Sequence, residues 1–444
     1  MFARRAAWDL LPNALAARLA AHAAAGRPLL DLADANPTAC GIDAPGLALR
    51  DVLRELAAGD ALLRYAPDAC GDAAARAAVA AHHAQSGGAA GPATGHAGPT
   101  ADDVVLTAGT SEGYAHLFRL LADPGDVVHV PTPGYPLFAH LAELEGLEVR
   151  AYPLRPRRGP RGAEWRIDLD ALAADLSPRS RAIVAIDPHS PTGARATDGE
   201  RASLASIAEE RGLALVVDEV FAAYPLAPVD AARAPSAFAA RSASGDAAAD
   251  GPLRFALSGA SKLLGLPQAK VSWIVAAGPE VLRREAVERL AFIADAYLSV
   301  SPVVAHALPA LLARGEELRA PIRARVRESE ARLRAVAASH PALEVLAADA
   351  GWSAIVRVRA PGGDAIDEEA LAIALLERDG VRVHPGFLFD LPSSDERGDA
   401  CAHVVLSLLA PPDAIERGAG ALARRASALA TDPGRSSSER PAVA

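Results

Sequence analysis

Lys262 stands in the segment Arg254-Phe-Ala-Leu-Ser258-Gly259-Ala260-Ser261-Lys262-Leu-Leu-Gly265-Leu-Pro267-Gln-Ala-Lys270. The apolar run Phe255–Leu257 reads as a buried strand, and it opens into a turn of small residues just before the lysine. One chemistry for such a lysine is a Schiff base. Its amine would condense with a carbonyl cofactor, while the hydroxyls of Ser258 and Ser261 and the second cation, Lys270, hold a phosphate. The other reading is a solvated lysine in a Gly/Ser turn, and the segment by itself does not choose between the two.

Four further segments carry residues of suitable type. Thr107-Ala-Gly109-Thr110-Ser111-Glu112-Gly113 follows an apolar run and opens a helix, whose first backbone N–H groups bind phosphate well. It also spells G-x-S-x-G, the nucleophile elbow of α/β-hydrolases, with Asp364 and either His384 or His403 as partners for Ser111. That reading has no HGGG-like segment upstream and leaves Lys262 unexplained. Pro133-Gly134-Tyr135-Pro136 places an aromatic ring past the next strand, where a flat ligand ring can stack; a tyrosine packed in a Pro-rich turn is the alternative. In Asp187-Pro188-His189-Ser190-Pro191-Thr192-Gly193, polar side chains could bond a ring substituent, and His189 alone reads as a turn residue. Leu213–Val217 ends in Asp218, a carboxylate able to pair with a protonated pyridine nitrogen. A helix cap or a metal ligand is the alternative there, but no second carboxylate cluster supports a metal. Phosphate site, stacking ring, nitrogen-pairing carboxylate and Schiff-base lysine are the four requirements of pyridoxal phosphate, and all occur just past successive strands. No Walker A sequence or strand-bound G-x-G-x-x-G offers a nucleotide instead.

The elements that must position these residues alternate. Apolar runs at 103–107, 127–130, 148–153, 182–186, 213–217, 254–257 and 271–276 are separated mostly by helical stretches, among them 112–122, 134–145 and 199–211. That pattern predicts an α/β domain with a mostly parallel, seven-stranded sheet. From about 303 the pattern changes to a long helical region, 303–338, then strands at 343–347, 354–359, 381–384 and 403–408 with a helix at 366–378. These predict a smaller α+β domain. The expected organisation is an N-terminal segment, 1–45, joining the small domain; a large domain, 46–298; a small domain, 299–430; and a disordered tail, 431–444. Gly/Ala/Pro-rich 86–100 and loose 231–252 read as surface loops. Residues 6–25 read as one amphipathic helix of the fold, not a signal peptide, because Asp9, Asn13 and Arg18 interrupt any apolar core.

Composition narrows the function classes. The 444 residues carry 45 Lys and Arg against 55 Asp and Glu, a net charge of −10 without a dense basic patch, so nucleic acid and anionic membrane surfaces are not expected partners. No apolar run reaches 18 residues, so no membrane span is expected. Cys40, Cys70 and Cys401 are too scattered for a disulfide framework or a zinc site, and a cytoplasmic protein is expected.

On Asn36-Pro37, Tyr65…Gly71, Gly109-Thr110-Ser111-Glu112, Pro133-Gly134-Tyr135-Pro136, Pro191-Thr192-Gly193, Asp218-Glu219, Ser261-Lys262 and Pro385-Gly386, the chain resembles the class I/II aminotransferases across about residues 10–428. These are the fold-type I pyridoxal-phosphate enzymes. The resemblance implies transamination between an amino acid or amine and a 2-oxo acid. It also implies a homodimer in which Tyr65 reaches the neighbouring subunit's cofactor phosphate. Lys262, Asp218 and Tyr135 would be catalytic; Gly109, Thr110, Ser111, Ser190, Ser258, Ser261 and Lys270 would complete the cofactor site. A lyase, decarboxylase or synthase on the same scaffold is the main alternative; a non-catalytic cofactor-binding regulator is disfavoured because no DNA-binding domain precedes the fold.

Several family positions are altered. Ser190 stands where an asparagine touches the cofactor's phenolic oxygen, and Phe221 where a tyrosine donates to it. Losing donors to a phenolate should raise the pKa of the lysine imine. The serine three before the lysine is Gly259, with Ser258 as a possible substitute, and the phosphate-binding arginine is Lys270, which lacks the planar fork. The arginine that clamps the substrate carboxylate is Val405. Either Arg382 or Asn36 takes that role, or the substrate lacks a carboxylate there.

Overall fold

The computed structural model describes residues 2–8, 10–86, 98–134, 136–226, 251–298, 300–360 and 365–429. Tyr135, Asp364, the tail 431–444 and most of the two loops expected at 86–100 and 231–252 lie outside the described residues.

Fourteen strands are described: β1 (Leu30–Asp31), β2 (Val104–Thr107), β3 (Val127–Thr132), β4 (Glu148–Gly159), β5 (Gly162–Ile167), β6 (Ser180–Ile186), β7 (Ala214–Asp218), β8 (Arg254–Gly259), β9 (Ser272–Ala277), β10 (Leu343–Val345), β11 (Ser353–Val358), β12 (Val381–Arg382), β13 (His384–Pro385) and β14 (Ala402–Ser407). The large sheet has the order β2-β9-β8-β7-β6-β3-β4-β5. Pairs β4/β3, β3/β6, β6/β7 and β7/β8 are parallel, whereas β9 runs against both β8 and β2. The sheet therefore has eight strands, not the seven expected. The addition is β5, the return arm of a hairpin with β4. Its sequence, Gly-Ala-Glu-Trp-Arg-Ile, mixes charge with bulk and shows no apolar run.

The inner strands are apolar along their length because both faces are covered. Alternate residues serve opposite sides. Val105, Ala182, Val184, Val216, Phe255, Leu257 and Ile274 pack with Tyr114, Leu117 and Phe118 of the helix Thr110–Leu121. On the other face, Leu106, Ala256 and Trp273 meet Val52, Val79 and Leu308, while Ile183, Leu215 and Val217 meet Leu204 and Ala208.

Antiparallel β10-β11-β14-β13 forms a second sheet, and its core includes Val356, Val404 and Leu406 with Ile322, Leu375 and Leu422. Leu30 and Asp31 of β1 pair in parallel with Val381 and Arg382 of β12, which ties the N-terminal segment to this part of the chain. The helical region expected at 303–338 is two helices, Pro302–Ala313 and Gly315–Ala338, breaking at Arg314. The first long helix spans only Ala14–Ala24, not 6–25. Asn13 sets its start by accepting a hydrogen bond from Ala16 N at 2.8 Å.

Candidate active site

Strands β2, β8, β7, β6 and β3 point the same way, so the loops that follow them emerge at one edge of the sheet, where ligands of open α/β sheets collect. Gly109-Thr110-Ser111, Ala260–Lys262, Asp218–Val220, Asp187–Gly193 and Pro133-Gly134 all leave that edge.

Asp218 ends β7 and is buried. Its backbone continues the ladder: Asp187 N donates to Asp218 O and Glu219 N donates to Leu257 O, both at 2.9 Å. The carboxylate accepts from Tyr114 Oη at 2.9 Å and from Val220 N at 3.1 Å. Burial raises its pKa to about 6, against these two hydrogen bonds and the charge of Lys262. Tyr114, one turn into the helix Thr110–Leu121, is itself buried edge-on against Phe138, and burial pushes its phenol well above the usual range.

Lys262 lies on the short helix Ala260–Leu263 that continues β8. Its Nζ sits 5.3 Å from the centroid of the buried Trp352 ring. Burial lowers its pKa, and the carboxylates of Asp218 and Asp34 oppose that shift. Tyr224 Oη donates to the carbonyls of Lys262 and Leu263 at 2.8 and 3.0 Å, so the lysine's backbone is fixed from below. An amine with a weakened hold on its proton, in the field of buried carboxylates, suits proton transfer.

The helix start at Gly109 is open, with the Glu112 carboxylate of its first turn accepting from Ala108 N at 2.7 Å. No side chain caps it, a Cβ at Gly109 would meet nothing within 4 Å, and Ser111 is exposed. Thr110 and Ser261 are half-buried, and Lys270 is exposed in a left-handed conformation (φ 51°, ψ 48°) that turns the chain into β9. Ser258 pairs with Trp273 and so lies on the opposite face of β8 from Gly259, which pairs with Ser272. The hydroxyl beside Gly259 therefore belongs to Ser272, not to Ser258.

Other expected residues fall around this centre. Ser190 is half-buried in the loop after β6, next to an ion pair, Arg201–Asp187 at 2.8 Å, that is buried on both sides. His189 is buried, its Nδ1 2.9 Å from Thr192 Oγ1, and burial depresses its pKa to about 3, which fits the turn-residue reading. Phe221 packs edge-on against Trp352. Val405 is buried with Ile355, Leu346 and Leu391, an apolar setting in place of a carboxylate clamp. Arg382 binds Asp31 at 2.8 Å, and Asn36 Oδ1 accepts from Thr38 N and Oγ1 at 3.1 and 2.8 Å, so each already serves a local partner. Tyr65 is 77% exposed.

Tyr114, Trp352 and Tyr224 are missing from the sequence-based list. Tyr114 was open to detection, since it faces the sheet one turn after the Gly109 helix start. Trp352 and Tyr224 reach Lys262 from 90 and 38 residues away, with no local motif.

A family model described as aminotransferase class I and II matches residues 43–400. The chain belongs to that family. Among similar proteins, this family member is 26% identical to the glutamate-pyruvate aminotransferase AlaA of Escherichia coli K12 over 298 residues, 65% of this chain and 64% of that one. It is 34% identical to nicotianamine aminotransferase 1 of rice over 122 residues, 28% of this chain and 24% of the relative. The matches thus span less than two thirds of these relatives. The alanine aminotransferase structure from Pyrococcus furiosus shares the fold with a TM-score of 0.79 at 19% identity, covering 96% of this chain and 99% of that one.

Proposed function

We propose that the chain is a pyridoxal-phosphate-dependent aminotransferase that moves an amino group between an amino acid or amine and a 2-oxo acid. The observation that carries this reading is that Lys262, over the Trp352 ring, and the buried Asp218 carboxylate follow adjacent parallel strands, β8 and β7, at one sheet edge. The residues present fit the cofactor: an uncapped helix start with open space at Gly109 for a phosphate, and a buried carboxylate for a ring nitrogen. When bound, pyridoxal phosphate supplies an aldehyde for the lysine amine and a ring that accepts the electron pair left by a broken C–H bond. Gly109, Thr110, Ser111, Ser261 and Lys270 would hold the phosphate. Asp218 would hold the protonated ring nitrogen, with Tyr114 and Val220 N fixing its carboxylate plane. Lys262 would take the proton from the amine-bearing carbon of the substrate and return it to the carbon on the far side of that nitrogen. Tyr135 would stack on the ring, and Ser190 would face its oxygen substituent.

The same reading makes the protein a cytoplasmic homodimer, divided at about residues 45, 298 and 430, with Tyr65 serving the neighbouring site. Substrate recognition departs from a carboxylate clamp, because Val405 offers no charge. Asn36 and Arg382 remain the candidate contacts at that end.

Holoenzyme incubated with a panel of amino acids and amines, without a 2-oxo acid, tests the reaction. Conversion to the pyridoxamine form is expected. Product release with the aldehyde form retained would instead mean a lyase or decarboxylase, and a protein that stays colourless with pyridoxal phosphate would end the proposal.

A further inference from the structure

Gly259 and Ser272 face each other across the antiparallel β8/β9 ladder, and Ser272 also pairs with Thr107 on β2. The serine thus stands between the strand that leads to Lys262 and the strand that leads to the Gly109 helix start. Its side chain shares the sheet face of Leu257 and Ile274, the face covered by the helix Thr110–Leu121. A Cβ built on Gly259 would run into Ser272 Oγ and come within 2.7 Å of its Cβ, so Ser272 occupies the volume a side chain at 259 would claim. Gly259 has φ −178°, extended backbone that any residue adopts, so the glycine is not required by the chain's conformation. What it does is leave room.

The occupant is only 1% exposed, and among the described residues its hydroxyl has no hydrogen-bond partner. Neighbouring Thr107, by contrast, donates to Gly109 O at 3.1 Å. A hydroxyl with no protein partner, on a residue set between the strands that lead to Lys262 and to the Gly109 helix start, has the address of a ligand contact.

We propose that Ser272 donates its hydroxyl to the cofactor phosphate, supplying from β9 the contact that residue 259 on β8 does not make. Ser272 then joins Lys270, two residues earlier where the chain turns into β9, and the helix start at Gly109 in holding the phosphate. This assignment rests on the pyridoxal-phosphate reading above.

Apoprotein titrated with pyridoxal phosphate and, separately, with pyridoxal, followed by absorbance, tests it. Ser272→Ala keeps the Cβ that fills the gap and removes only the hydroxyl. We expect pyridoxal phosphate to bind about tenfold more weakly and pyridoxal to bind as before, with an unchanged apoprotein Tm. The exchanged pair Gly259→Ser with Ser272→Gly should restore tight binding, because the hydroxyl returns from the opposite strand. Unchanged affinity of Ser272→Ala for pyridoxal phosphate would overturn the assignment alone. Equal weakening toward pyridoxal would overturn it too, as a packing effect. Failure of the wild-type protein to bind pyridoxal phosphate would overturn the parent reading as well.

Discussion

At the residue scale, the site joins a carboxylate and an amine that burial has moved toward each other in acidity. Asp218 would normally titrate near 3.8 and is raised to about 6. Between those values the folded apoprotein holds a proton that the unfolded chain has lost, so this group makes stability fall as pH rises from about 4 to 6. Asp218→Asn abolishes that component; urea unfolding of the apoprotein should show the variant at least as stable as the wild type at pH 8. Turnover should fall about 100-fold or more, since the charge on the ring nitrogen is lost. Phe221, packed on the tryptophan that underlies Lys262, makes a second expectation. Phe221→Tyr offers a new phenolic donor, and the visible band of the holoenzyme should titrate at lower pH. An unmoved midpoint would show that residue 221 does not reach the chromophore. Asp218 was legible in the sequence because it ends an apolar run, and Lys262 because it follows one across a turn of small residues. Ser272 was not, because a serine opening a strand looks ordinary until the glycine opposite it is known.

At the element scale, the loop after β6 is anchored by the Arg201–Asp187 pair, with Arg201 only 4% and Asp187 only 3% exposed. Arg201→Met would leave Asp187 buried with only Ala196 N and the charge of Arg195 to offset it, at a cost of up to about 3–5 kcal/mol at neutral pH. Burial raises the Asp187 pKa and Arg201 opposes it, so removing the arginine lets the carboxyl hold its proton to higher pH. The deficit should therefore shrink as pH is lowered, and unfolding curves at pH 5 and pH 8 check this. A deficit independent of pH would point to lost packing instead. The seven apolar strands and most helices were readable from periodicity, since both faces of the sheet are covered. Strand β5 escaped because hairpin pairing with β4 does not need an apolar run, and the break at Arg314 escaped because both flanking segments are helical in character.

At the scale of the whole molecule, several large apolar side chains are exposed. Tyr65, Leu298 and Pro302 line a common depression, and Leu63, Phe292 and Tyr297 are more than half exposed nearby in sequence. The proposed dimer makes a specific prediction through Tyr65. Tyr65→Ala and Lys262→Ala proteins should each be weakly active or inactive, while mixing them under conditions that exchange subunits should restore activity. The hybrid has one site with an intact lysine and a tyrosine from its neighbour. No recovery, with hybrids present, would place Tyr65 outside the site.

The contiguity of β8 and β9 has a consequence for shuffling this chain with its relatives. Ser258, Gly259, Ser261, Lys262, Lys270 and Ser272 all lie within one strand–turn–strand cassette, residues 254–277. A crossover placed between 259 and 272 against a relative with serine at the first position would pair two bulky partners in one direction of the exchange. The inheritable unit is therefore the whole cassette, and chimaeras that respect its borders should keep their cofactor where those that split it do not.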